Sequence, residues 1–169
     1  MATKSENLMD WLRDAYAMEQ QAETMLKGQS SRLEHYPVLK ARIDQHLEET
    51  LGQQAQVKAC IERLGESTSV AKEILGKVAA VGQAAGGALM TDEVVKGAVA
   101  SYAFENTEAG LYTVIIEAAS VVGDLETKSV CEAILKEELA MAQWLLEHLP
   151  AVTRAFMERS EIPGETARR

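Results

Sequence analysis

Apolar residues recur every three or four positions along most of the chain, a period typical of amphipathic α-helices. Breaks follow the first and third of these patterns at residues 35–37 and 123–124, because the residue before a proline leaves the helical region and glycine ends helices. Apolar and polar residues do not alternate as in a strand. The pattern predicts an all-α chain with four long helices, over about 5–32, 37–64, 91–122 and 125–149.

A long connection separates the second and third predicted helices. Residues 65–69 end the second helix and can cap a shorter helix over about 70–81, and the glycines at 82, 86 and 87 loosen the chain after it. Two helical hairpins joined by one long crossover are typical of ferritin-like topology, whereas an up-down-up-down bundle does not need such a crossover. We therefore predict a ferritin-like four-helix bundle with a crossover between helices 2 and 3 that carries a short extra helix.

The prolines mark the predicted ends of helices. Pro37 suits the first turn of the second helix, and Pro150 is expected to end the fourth helix and to allow at most a short terminal helix. With 169 residues and 47% hydrophobic content, the chain is long enough for one core. We predict a single helical domain over residues 1–162 and a flexible tail over residues 163–169.

Each predicted long helix has an acidic residue inside its apolar stripe: Glu19, Glu49, Glu105 and Glu138. On the second helix, position 50 fits the stripe as well as position 49. Burying a carboxylate without a partner costs several kcal/mol, so four such residues in one core call for compensating cations. Two divalent metal ions would supply the charge, because carboxylates bridge a pair of metals readily.

The spacing from the two turns tests whether these carboxylates can meet. Glu19 lies 17 residues before Tyr36 and Glu49 lies 13 after it, which is a height difference of about 6 Å at roughly 1.5 Å per residue. Glu105 lies 18 residues before Gly123, and Glu138 lies 15 after it. Both hairpins therefore place their carboxylates at nearly one level of the bundle.

Two further candidate ligands share a helix face with these carboxylates: His46 with Glu49, and Glu108 with Glu105. The Glu-x-x-His pattern of di-iron bundles is absent, since Gly52 and Met141 occupy the histidine positions. The predicted site is rich in oxygen and poor in nitrogen, so iron or manganese suits it at least as well as zinc.

Each of these residues also has an interpretation that does not involve a metal site. A single glutamate in a stripe is usually a solvated edge residue. His46 fits a hydrogen-bonded core histidine as well as a ligand. Glu137 is expected to be solvated, and the tyrosines at 16, 102 and 112 are expected to be core aromatics rather than donors to the carboxylates. Cys60 and Cys131 lie in apolar stripes and are expected to be reduced core thiols.

Charge and hydropathy exclude several classes of partner. The formal charge is −9 and no cluster of basic residues is available for phosphates, so nucleic acid is not an expected partner. No apolar run reaches the roughly 20 residues needed to cross a bilayer, and the polar start has no signal-peptide core. We expect a soluble cytoplasmic protein without a membrane partner.

Four motifs, at residues 10–23, 46–50, 104–108 and 133–138, resemble the YciE/YciF ferritin-like family, and the YciE branch most closely. The similarity runs from about residue 5 to 162. It implies a bacterial stress-associated protein with a rubrerythrin-like bundle that is commonly a homodimer. By position, the family's site residues fall on Glu19, His46, Glu49, Glu105, Glu108 and Glu138. The chain departs from the YciF branch at Leu51 and Asn106, where that branch tends to have histidine.

Three functions remain open at this point. The first is a redox-active dinuclear site that consumes peroxide or oxidises a metal ion, with Glu49 and Glu138 bridging the metals. The second is a structural or metal-sequestering stress protein without turnover. The third is a helical interaction module whose acidic core holds protons or water. No motif assigns a catalytic residue.

Overall fold

A computed structural model describes residues 2–65, 92–164 and 167 of the chain. These residues form helices and turns and contain no strand, so the predicted all-α four-helix bundle is confirmed. The predicted short helix over 70–81 lies outside the described residues. The four long helices are α1 (Lys4–Ser30), α2 (Pro37–Arg63), α3 (Glu93–Val122) and α4 (Leu125–Ser160).

Local sequence signals explain most of the helix ends. At the start of α1, the Thr3 hydroxyl accepts from the Glu6 amide while the Glu6 carboxylate accepts from the Thr3 amide, which is a capping box. Pro37 occupies the first turn of α2, where its missing N–H is not needed. Gly123 ends α3 with a φ of 81°, a left-handed conformation that favours glycine. Asp124 then caps α4 by accepting from the Thr127 amide.

The helices pack in the order expected of two hairpins joined by a crossover. α1 packs against α2 and α3, and α4 packs against α2 and α3. Within the described ranges, the backbones of α2 and α3 do not approach each other, and neither do those of α1 and α4, so these pairs occupy the diagonals of the bundle. None of the described helices is long and apolar enough to cross a membrane.

Contacts between side chains give the directions of the helices. Ser101, early in α3, donates to Gln29, late in α1, whereas Tyr112, late in α3, donates to Glu19, earlier in α1. These two helices are therefore antiparallel. Bonds from Gln53 to Glu138 and from Arg63 to Asp124 make α2 and α4 antiparallel as well. α2 therefore ends at the opposite end of the bundle from the one at which α3 begins, as a ferritin-like crossover requires.

The core consists of two apolar clusters with a polar layer between them. The first cluster lies toward the turn between α3 and α4 and includes both cysteine thiols, which are free and buried as expected. The second cluster lies toward the turn between α1 and α2. The level between them holds buried polar side chains instead of apolar ones: Glu19, His46, Thr50, Gln53, Glu105, Glu108 and Glu138. The bundle thus holds a layer of buried polar side chains, which we call the polar layer, between its two apolar clusters.

The predicted end of the fourth helix at Pro150 is wrong, because α4 continues to Ser160 with the proline inside it. Proline cannot donate to the carbonyl four residues earlier, which belongs to Leu146. Leu146 lies on the exposed side of the helix, so the missing hydrogen bond is not in the core. Beyond the proline, Val152 is buried and Phe156 packs against the second cluster. Apolar contacts on the inner face of α4 thus extend the helix past Pro150.

One contact involves the C-terminal tail. The hydroxyl of Tyr36, at the turn between α1 and α2, donates to the backbone carbonyl of Ala167 at 2.6 Å. Residues 165, 166, 168 and 169 lie outside the described part of the chain. The flexibility of the tail over 163–169 therefore stays a prediction.

Candidate metal centre

Four side chains from three helices meet in the polar layer. His46 comes from α2, Glu105 and Glu108 from successive turns of α3, and Glu138 from α4. Each offers one ligand atom, and these atoms all lie within 4.8 Å of one another. All four residues are buried. We call these residues the His46 group. The spacing of three residues on α3 brings both of its carboxylates to the same side, as predicted.

The histidine ring lies at the centre of the charges in this group. Its Nε2 atom lies 2.9 Å from Glu105 Oε2 and 3.6 Å from Glu138 Oε2. Burial by itself would lower the pKa of His46, but the contacts with Glu105 and Glu49 outweigh it and raise the pKa to about 10. In the protein without metal, the ring therefore acts as a buried cation among carboxylates.

Glu19 of α1 lies beside the His46 group at the same level of the bundle. It is fully buried, and one of its oxygens accepts a hydrogen bond from the Tyr112 hydroxyl. Burial raises its pKa to about 7, although the bond from Tyr112 opposes the shift. Repulsion from the Glu19 carboxylate also contributes to the raised pKa of Glu108. The spacing argument for matched heights thus succeeded for this residue.

Glu49 takes a different position from the other predicted ligands. Its side chain is 22% exposed, and Thr50 occupies the inward position of that turn. Glu49 Oε2 lies 2.7 Å from His46 Nδ1 and accepts from Arg42 Nη1 at 3.1 Å, while Oε1 accepts from Gln45 Nε2 at 2.8 Å. The structure therefore places Glu49 behind His46, away from the convergence point of the His46 group.

Burial is the main cause of the raised carboxyl pKa values in the polar layer. Desolvation is the largest cause of the raised pKa of Glu138, which reaches about 9, and of the strongly raised pKa of Glu108. Glu49 shows the opposite shift: its partial burial is outweighed by the bonds from His46, Gln45 and Arg42, and its pKa falls to about 2. At neutral pH in the protein without metal, Glu138 therefore holds a proton, whereas Glu49 is ionised.

Comparison with known proteins agrees with this architecture. Residues 3–158 match a family model described as "Domain of unknown function (DUF892)". The chain belongs to the DUF892 family. It is also similar to the crystal structure of a protein from Xanthomonas campestris pv. campestris, with 44% sequence identity and a TM-score of 0.80. That match covers 95% of this DUF892 chain and 100% of the other chain.

Unpartnered polar atoms test whether the donors of this DUF892 chain fit a metal ion. Within the described part of the chain, three buried carboxylate oxygens of the layer lack a hydrogen bond, namely Glu19 Oε2, Glu108 Oε1 and Glu138 Oε2, while Glu105 Oε2 forms the ion pair with His46 Nε2. Each such group costs free energy unless it gains a partner. A divalent cation among these atoms would satisfy several of them at once, and four carboxylates with one imidazole suit manganese or iron. The donor residues of the polar layer therefore fit a divalent metal ion.

Two residues of this DUF892 site were not assigned a role from the sequence. Tyr112, expected to be an ordinary core aromatic, donates to Glu19. Gln53 donates through Nε2 to Glu138 Oε1 at 2.5 Å and to Glu137 Oε2 at 2.9 Å, so Glu137 is half-buried and bonded rather than simply solvated. A signal existed, because Gln53 falls two turns after His46 and Tyr112 one turn after Glu108, on the same stripes.

Proposed function

We propose that this DUF892 protein binds divalent metal in the core of its bundle through the His46 group. The observation that carries the proposal is the convergence of buried carboxylate oxygens from two helices on one imidazole nitrogen from a third. Apolar side chains would fill such a layer without any desolvation cost. A cation that binds there offsets the cost of burying these charges.

The proposed centre contains two ions, with iron or manganese as the preferred metals and zinc as a further candidate. The His46 group supplies the ligands for one ion. Glu19 is the candidate that would extend the site to a second ion, since its Oε2 atom is buried and lacks a hydrogen bond among the described residues. A role for Glu49 as a ligand requires it to leave Arg42 and Gln45, which now hold it.

Iron or manganese in this position would supply redox chemistry toward peroxide or toward oxidation of a metal ion. The residues of the chain would hold the metal, and Tyr112 would orient Glu19. The alternative is a non-catalytic protein that sequesters metal or uses it for stability. The low number of nitrogen ligands favours this alternative, because His46 is the only histidine in the layer among the residues described.

The biological setting rests on the resemblance alone. We propose that the protein belongs to the YciE branch, acts in a bacterial stress response, is cytoplasmic and forms a homodimer. The family description names no activity. These statements await cellular and solution measurements, of which the oligomeric state by light scattering is the simplest.

Metal analysis tests the proposal directly. The protein is purified without chelators and its metal content is measured by mass spectrometry, beside Glu108→Gln, Glu138→Gln and the control Glu117→Gln, whose side chain is exposed on α3. We expect bound metal in the wild type and the control, and its loss in the two core variants. Equal metal content in all four proteins would contradict the site. Anomalous scattering from a crystal would identify the metal and its number.

Two measurements then separate catalysis from sequestration. If the metal is redox-active, peroxide added to the loaded protein disappears faster than with the Glu138→Gln variant. If the metal is structural, peroxide persists while chelation lowers the melting temperature. A protein that shows neither effect would favour the third possibility, a helical module whose acidic core holds protons.

A further inference from the structure

Glu49 and His46 form a hydrogen-bonded pair whose direction assigns different roles to the two ring nitrogens. Nδ1 points outward and lies 2.7 Å from Glu49 Oε2. Nε2 points inward, where it faces Glu105 and Glu138. The residues are three positions apart on α2 and therefore lie on one face of the same helix. The ring can serve as a ligand only through its inward nitrogen.

The carboxylate of Glu49 is held by donors that do not belong to the metal centre. Arg42 Nη1 donates to the same oxygen that faces His46, and Gln45 donates to the other one. Arg42 is largely buried, with 11% of its side chain exposed. Both oxygens of Glu49 thus have partners, in contrast to Glu19, Glu108 and Glu138, each of which keeps an oxygen without a hydrogen bond among the described residues.

From this geometry we propose that Glu49 is a positioning residue for His46 rather than a metal ligand, and that Arg42 and Gln45 hold it in place. The inference rests on the proposed function, and it changes the ligand set predicted from the sequence. A carboxylate that accepts from one imidazole N–H selects the tautomer whose other nitrogen carries a lone pair. Glu49 would thereby direct the lone pair of Nε2 toward the metal.

The inward position of that turn supports the assignment. Thr50 is buried where Glu49 would have to enter, and its hydroxyl has no hydrogen-bond partner within the described ranges. For Glu49 to reach the centre, its carboxylate would have to leave three donors and pass the imidazole ring that it now backs. No carboxylate of the His46 group is held by three such donors among the described residues.

Three variants test the role of Glu49. Glu49→Gln keeps an amide oxygen that can accept from His46 Nδ1 and from Arg42, while the flexible amide of Gln45 can turn to accept from the new NH2 group. Glu49→Leu removes the acceptor. Glu48→Gln is the matched control, because Glu48 is adjacent on α2 and exposed. The probe is Zn²⁺, which is diamagnetic and allows NMR of the loaded protein.

We expect the dissociation constant for Zn²⁺ to rise less than about 10-fold in Glu49→Gln and by about 10–100-fold in Glu49→Leu, which is the usual range for an outer partner of a ligating histidine. Glu48→Gln should bind as the wild type does. If Glu49 is itself a ligand, removing its charge in Glu49→Gln should weaken binding as much as Glu49→Leu does, and that result would overturn the inference.

Nitrogen-15 NMR of the zinc-loaded protein provides the readout that a merely structural role would not change. The chain has three histidines, so variants of His35 and His148 assign the His46 signals. The wild type should show a proton on Nδ1 and metal on Nε2, and Glu49→Leu should lose this single form. Metal on Nδ1, or a crystal with a Glu49 oxygen about 2.0–2.2 Å from zinc, would overturn the inference. Absence of metal from the wild type would instead overturn the proposed function itself.

Discussion

Tyr112 on α3 donates a hydrogen bond to Glu19 on α1, which joins two residues that are 93 positions apart in the sequence. Both side chains are fully buried. Burial raises the pKa of Tyr112 well above its usual value, so the phenol remains a donor over the whole working range of pH. The bond stabilises the ionised form of a carboxyl that burial would otherwise protonate.

Removal of this donor should destabilise the bundle. In Tyr112→Phe, Glu19 loses its partner inside the core, which typically costs about 1–3 kcal/mol. For a chain of this size, each kcal/mol corresponds to roughly 2–4 °C in melting temperature. Tyr102→Phe on the same helix is the control, because Tyr102 is only half-buried and packs against the second cluster. A Tyr112→Phe variant as stable as the control would contradict the structural importance of the bond.

Alkaline pH should destabilise the protein without metal. Folded Glu19 and Glu138 have pKa values of about 7 and about 9, against 4.5 in the unfolded chain, and folded His46 has a pKa of about 10, against 6.5. All three bind protons more tightly when folded. Their contributions are complete below the unfolded pKa values and are lost as pH rises through the folded ones. The chelated protein should therefore melt at a lower temperature at pH 8.5 than at pH 5.5.

The expected loss is at least about 1 kcal/mol, or roughly 2–4 °C, by calorimetry across this range. Glu49 has the opposite sign: its pKa of about 2 adds stability above pH 4.5 that is lost as pH falls from 4.5 to 2. A melting temperature that is constant or higher at pH 8.5 in chelated protein would show that the inner carboxyls are not buried as described.

Glu138→Gln should flatten this pH dependence and also abolish metal binding. The amide has nearly the shape of the protonated carboxyl but cannot lose a proton, so the variant lacks one source of the alkaline loss. Near pH 5 the chelated variant and wild type should have similar stability, and by pH 8.5 the variant should be more stable by at least about 1 kcal/mol. Its metal affinity should fall at least about 100-fold, beyond the range for an outer partner.

Glu132→Gln is the control for this substitution, since Glu132 is exposed on the same helix. It should change neither the slope of stability with pH nor the affinity for metal. If Glu138→Gln shows the same pH slope as the wild type, then another group is the source of the alkaline loss.

Two glycines should respond oppositely to alanine. A Cβ added at Gly110, inside α3, or at Gly123, at its end, would meet no atom within 4 Å. They differ in backbone conformation, because only Gly123 has a positive φ, of 81°. Gly110→Ala should stabilise the protein by about 0.5–1 kcal/mol through helix propensity. Gly123→Ala should destabilise it by about 1 kcal/mol or more, since alanine is strained in the left-handed region. Chemical denaturation measures both, and equal signs would contradict the prediction.

Much of the fold could be predicted because it depends on local rules. The 3.6-residue period, the proline at the start of α2 and the glycine after α3 set the bounds of α1, α2 and α3 and the start of α4 within a few residues. The fixed rise per residue also placed Glu19, Glu105 and Glu138 at one level of the bundle. These predictions succeeded because helix geometry converts sequence distance directly into height.

Pro150 shows where local rules are insufficient. A proline inside a helix is unfavourable by itself, but the outcome depends on the apolar area that the next turns can bury. Val152 and Phe156 find apolar partners in the second cluster, and the residue whose carbonyl loses its donor, Leu146, is exposed. This balance between one lost hydrogen bond and buried apolar area exists only once the other helices are in place.

The sequence by itself determined the height of each polar residue along the bundle, because helical period and rise are local properties. The tertiary structure decided their directions. Positions 49 and 50 both fit the stripe that contains His46, and a rotation of about 100° between consecutive residues separates a carboxylate inside the centre from one behind the histidine. Packing against α1 and α4 turned Thr50 inward and left Glu49 with Arg42 and Gln45. The bond from Tyr112 to Glu19 likewise needed α1 and α3 side by side, which no local pattern specifies.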